Sequence, residues 1–141
     1  MKKSVFVMLL ISSNLWAQEP QKIVVQVSNV NSTKGVVRCG LFAKSDGFPS
    51  DANRAIQRTS APAAAGKVVC EFSGVQPGKY AVSVVHDENN NDKIDTNFVG
   101  IPSEGYGASN NNLPALSPPN FGDSSFDYSS GTKTISVQLK Y

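Results

Sequence analysis

Apolar positions along most of this chain recur every second residue. Ile135, Val137 and Leu139 alternate with Ser136, Gln138 and Lys140, the signature of a strand with one buried face. Tyr80, Val82 and Val84 share one face of a second run, Lys79 to His86. Ile23 to Val27 is a β-branched run, and Val36 to Ala43 and Lys67 to Phe72 add further strands. Phe98-Val99 and Phe126-Asp127-Tyr128 read as shorter ones. Between Lys67–Phe72 and Lys79–His86 stands Gly74-Val75-Gln76-Pro77-Gly78. Its Pro-Gly pair suits a type II turn, with Pro presetting the first φ and Gly78 supplying the positive one.

Helical periodicity is nearly absent. The stretch Lys44 to Gly66 is a long polar excursion in which Ser50 to Ile56 predicts one or two helical turns capped by Ser50. Gly100 to Ser130 is rich in Gly, Pro, Asn and Ser, and its dispersed aromatics predict docking onto the strands. About seven strands in a chain of this size predict an all-β fold of two packed antiparallel sheets.

The amino end follows a different pattern. Lys2 and Lys3 precede an apolar stretch, Val5 to Ile11, and Leu15-Trp16-Ala17 offers a small residue before Gln18. This is the form of a secretory signal, so residues 1–17 are expected to be removed and 18–141 to form a single domain, periplasmic or secreted. No apolar run reaches the roughly 18–20 residues of a spanning helix, which excludes an integral helical membrane protein. The chain carries 13 Lys+Arg and 11 Asp+Glu, and the leader takes two lysines with it, leaving 11 of each. With no three basic residues adjacent, nucleic acid is a poor partner. A monomer is expected.

Export also bears on the two cysteines. Cys39 keeps phase with Val37 and Leu41, and Cys70 with Val68 and Phe72, so both sulfurs face the apolar side. An even count in an oxidising compartment predicts a Cys39–Cys70 disulfide, the alternative being two buried thiols. Closing that loop would stabilise the fold by roughly 3–4 kcal/mol.

The segment with most chemistry runs from His86 to Asn97. With Asp87 as the first position of a calcium loop, oxygen side chains fall at the third (Asn89), fifth (Asn91) and ninth (Asp95). Lys93 at the seventh would offer its carbonyl. The sixth position is Asp92, where Gly is usual, and the twelfth is Phe98, so the bidentate Glu is missing. Glu104 could supply that carboxylate from the following loop. The cofactor expected is calcium, bound weakly at roughly 10⁻⁴–10⁻³ M. The alternative is an Asx-rich turn whose side chains cap their own backbone and hold no ion.

From His86 to Asn112 the chain resembles the signature of the DUF2141-type family of uncharacterised bacterial secreted domains. The resemblance rests on His86, Asp87, Asn89, Asn91, Asp95, Gly100, Pro102, Glu104, Gly105, Gly107, Ser109 and Asn110. It implies a prealbumin-like or carboxypeptidase-regulatory-like sandwich, seven strands in a Greek key with long loops. It carries no activity with it.

Two classes of function remain. A hydrolase would use His86 as base and Glu104 as acid, but adjacent strand residues point to opposite faces, so His86 and Asp87 do not pair easily. A non-enzymatic binding or accessory module is the better reading. Tyr106, Ser109 and Asn110 would then meet an unknown polar ligand or protein partner. A purely structural exported domain without an ion is the plainer version.

Overall fold

A computed structural model describes residues 19–141, and the export signal expected over residues 1–17 lies outside the described residues. The β-branched run after Gln21 forms β1 (Lys22–Val30), followed by β2 (Val36–Phe42), β3 (Gln57–Pro62) and β4 (Gly66–Ser73). Next come β5 (Gly78–Asp87), β6 (Tyr106–Ala108), β7 (Phe126–Tyr128) and β8 (Thr132–Gln138). One sheet has the order β4-β1-β8. The other has the order β3-β2-β5-β6, with β7 pairing the start of β5. The all-β sandwich is as expected. One pairing is parallel, however: β8 runs alongside β1 from Lys22↔Thr132 to Ser28↔Gln138.

Alternation decides which side chains meet between the sheets. Ile23, Val25 and Val27 of β1 and Val68, Cys70 and Phe72 of β4 face Val37, Cys39 and Leu41 of β2 and Tyr80, Val82 and Val84 of β5. All are buried, each large aliphatic or aromatic side chain adding roughly 1.5–3 kcal/mol. Cys39 and Cys70 form the expected disulfide, with Cα atoms 6.6 Å apart. Because Cys39 lies in one sheet and Cys70 in the other, the bond staples the two layers through their shared core.

Four local expectations change. Gln57–Pro62, read as part of a coil, is the edge strand β3, whose outward Arg58, Ser60 and Pro62 hide its alternation; a proline is tolerated at such an edge. Phe98-Val99 is not a strand: Phe98 is fully exposed at the tip of a turn. The helical turn is a 3₁₀ turn, Ala52–Arg54, capped by Asp51 instead of Ser50, with the Asn53 N–H donating to the Asp51 carboxylate at 3.1 Å. Between β4 and β5 it is Gly74 that takes the positive φ (66°), while Gly78 already opens β5.

The long segment after β6 docks as its aromatics predict. Phe121 meets Phe48 edge-on at 6.1 Å, and Phe48 meets Phe42 at 5.2 Å, making a small second core outside the five-stranded sheet.

Candidate functional site

The site begins where β5 ends. His86 points inward and Asp87 outward, as the pleat requires. Asp87 is nevertheless fully buried, and both its oxygens are engaged. Oδ1 accepts the Asn91 N–H at 3.1 Å; Oδ2 accepts the Arg38 Nε–H at 2.7 Å and the Asp92 N–H at 2.9 Å. The carboxylate therefore bends the chain back on itself and holds the bend to β2. Side chains continue the winding, with the Asn91 N–H donating to Asn89 Oδ1 and the Lys93 N–H to Asn91 Oδ1. Asn90 (φ 55°) and Asp92 (φ 60°) take the left-handed conformation, which Asn and Asp adopt more readily than most residues.

A second turn brings in Glu104. Thr96 bridges to Pro102, and the Ser103 N–H donates to the Asp95 carbonyl at 2.8 Å, so the chain doubles back and returns Glu104 beside Asp95. Glu104 is buried; among the described residues its oxygens receive two long bonds, from the Glu88 N–H (3.3 Å) and the Asp95 N–H (3.4 Å). Burial, with the Asp95 and Asp87 carboxylates nearby, pushes its carboxyl above the usual range. Asp95 lies lower than usual, because the amides of Asn91 and Asn89 both donate to it at 2.6 Å. Asp92 is lowered chiefly by the hydrogen bond from Arg58. No Lys or Arg forms a salt bridge with Asp95 or Glu104 among the described residues.

Asn89, Asn91, Asp95 and Glu104 are thus gathered together, and they are hard oxygen donors of the kind calcium takes. Asp87 is at the rim of this group but committed to its own three donors. The Lys93 carbonyl accepts no hydrogen bond from the described residues. Among those residues no three His, Cys, Asp or Glu side chains are clustered as a ready metal site, so any cation would depend on the amide oxygens as well.

The other expected residues have different places. His86 is sealed: Nε2 lies 2.8 Å from the Lys34 carbonyl and Nδ1 2.8 Å from the Tyr141 hydroxyl. Since a carbonyl can only accept, Nε2 carries a proton toward Lys34, and Nδ1 is paired with the Tyr141 hydroxyl. Both ring nitrogens are thus taken up by these two partners. The expectation that Ser109 offers a ligand surface is corrected: it is buried, bonded to the Val82 N–H and the Ser124 carbonyl. Asn110 is exposed, and its Nδ2 donates to the Asp123 and Ser125 carbonyls. They lock the long segment to β5. Tyr106 is half-buried in β6, its backbone paired with Lys140.

The DUF2141 family, described as "Uncharacterized protein conserved in bacteria", matches residues 25–136, a span that contains every element of the site. The chain belongs to the DUF2141 family. No curated protein matches it significantly. Among solved structures it is similar to a fimbrial assembly protein from Parabacteroides distasonis ATCC 8503, with a TM-score of 0.41 and 12% identity over 87% of this chain and 53% of that one. The chain thus spans about half the length of that protein.

Within the stretch that resembles the DUF2141 signature, Gly105 and Gly107 are explained by close approach and Gly100 by its positive φ of 84°. A Cβ on Gly105 would overlap the Tyr141 ring, and one on Gly107 would come within 2.6 Å of Val137 Cγ1. Two residues outside that stretch, Arg38 and Arg58, hold Asp87 and Asp92. Arg38 sits in strand phase opposite Cys39 and so was readable as outward. Its pairing with Asp87, 49 residues away, follows only from the β2–β5 register. Gly35 was likewise missed: at φ 68°, a Cβ there would overlap the Asp87 carbonyl, so the β1–β2 turn and the start of the loop need it.

Proposed function

We propose that this DUF2141 domain is an exported, non-enzymatic binding or accessory module whose loop over residues 87–104 takes a calcium ion. Asn89, Asn91, Asp95 and Glu104 would hold it, with the Lys93 carbonyl completing the set and Asp87 keeping the loop folded. One observation carries the reading: a buried Glu104 is set against Asp95, and neither carboxylate forms a salt bridge with a Lys or Arg among the described residues. Two carboxylates so placed need a shared proton or a cation. Calcium is favoured over magnesium because the donors are numerous protein oxygens on one loop, whereas magnesium keeps most of its waters. Export is supported by the leader pattern and by the disulfide. Among the described residues no helix is long and apolar enough to cross a membrane.

A thermal melt of the chain from residue 18 tests this, first with chelator and then with millimolar calcium or magnesium. At ten times Kd, calcium adds about 1.4 kcal/mol, a rise of several degrees for a domain of this size. The rise should be specific to calcium and vanish in Asp95→Ala and Glu104→Gln. An unchanged Tm at saturating calcium, with or without these substitutions, leaves an Asx-rich turn that binds nothing.

A further inference from the structure

The outward face of the five-stranded sheet carries a cleft of about 300 Å³. Its floor is built by register: Arg38 and Gly40 of β2 stand opposite Ser60 and Arg58 of β3, and Gly40 also opposes Ser83 of β5. Pro49, Ala52, Asp92 and Ile94 complete its lining. The floor is open because position 40 has no side chain; a Cβ there would come within 3.1 Å of the Phe42 ring and 3.3 Å of Ser83 Oγ.

The polar groups in this cleft are under-used. Arg38 gives its Nε–H to Asp87 and Arg58 gives only Nη2 to Asp92, so each guanidinium keeps N–H groups that meet no acceptor among the described residues. The Ser60 and Ser83 hydroxyls also have no partner among them. An arginine fork with spare donors is shaped for a carboxylate or phosphate. Charge decides between these. Arg38, Arg58 and Lys93 stand against Asp87 and Asp92, an excess of a single positive charge, which balances a monoanion better than a phosphate dianion. Phe42, Pro49 and Ile94 supply apolar wall beside the charge, and such a mixture of apolar lining with few convergent polar groups is what small-molecule sites have.

We infer that this cleft binds a small monocarboxylate with an apolar body, held at its charged end by Arg58, Arg38 and the Ser60 and Ser83 hydroxyls. Asp92 already lies on both arginines and so competes with the ligand for them. The inference deepens the binding-module reading by giving the module a site, and it does not require an ion in the neighbouring loop.

Benzoate serves as the probe, with benzamide and inorganic phosphate as controls, each titrated into the ¹⁵N-labelled chain with and without calcium. Benzoate should shift the amides of Gly40, Arg58, Ser60 and Ser83 saturably under both conditions. Benzamide, which lacks the charge, should not. Arg58→Gln should weaken benzoate about tenfold or more, the usual loss for a charge-assisted hydrogen bond. Asp92→Asn, which keeps the left-handed loop residue and removes the competitor, should tighten it. The same spectra report whether each variant is folded, and Ser83→Ala provides a second, milder lesion. The inference is overturned by the absence of saturable shifts at any soluble benzoate concentration, by benzamide or phosphate matching benzoate, or by a folded Arg58→Gln that binds unchanged. A missing calcium effect on Tm would sink the ion reading alone.

Discussion

Glu104 and Asp95 face each other, yet their carboxyls move in opposite directions. The Asn89 and Asn91 amides stabilise the charge on Asp95, while burial disfavours it on Glu104. Glu104 binds its proton more tightly folded than unfolded. Its contribution to stability is therefore full below its ordinary value of 4.5 and is lost as the pH rises through the raised folded value. Asp95 runs the other way, contributing above its ordinary 3.8 and losing that contribution as the pH falls through its lowered value. Without added cation, raising the pH from 4.5 toward 7 should lower the urea midpoint of the native sequence more than that of Glu104→Gln. Parallel curves for the two would show that the buried carboxyl is relieved by some other route.

At the scale of elements, the loop over residues 87–104 is fixed at its base by strand β2. Arg38 reaches from β2 to Asp87 at the end of β5, and Asp87 in turn receives two loop N–H groups. Removing the arginine leaves a fully buried carboxylate with only the backbone donors. Arg38→Leu should cost about 2–4 kcal/mol, less than for a wholly buried pair because Arg38 is partly exposed. Asp87→Asn in the same chain should restore part of it, by removing the stranded charge. Urea denaturation of the single and double variants measures both. A cost for Arg38→Leu no greater than that of an ordinary surface substitution would mean that this pair does not hold the loop.

At the scale of the molecule, the two sheets are joined by apolar contact and by the Cys39–Cys70 bond between their inner faces. Replacing both cysteines with alanine should leave the same β-rich circular dichroism and reduce stability by roughly 3–4 kcal/mol, mainly by freeing the unfolded chain. Loss of the β signal altogether would make the disulfide a condition of folding. The segment after β6 joins that stapled core through Tyr128 and Phe126 of β7, so unfolding should remain a single transition centred on the sandwich.

Alternation along the chain by itself determined the sandwich, the inward direction of both cysteines, the opposite facing of His86 and Asp87, and the winding of Asn89 and Asn91. Each of these depends on the side of a strand or on neighbours a few residues apart, which local spacing records. Tertiary structure alone decided that β8 lies parallel to β1, that Gln57–Pro62 becomes an edge, that Arg38 meets Asp87, and that Arg58, Gly40 and Ser83 line one cleft. A period of two says which face is buried but not which strand lies beside it or in what register. Groups far apart in sequence meet only when those pairings are made.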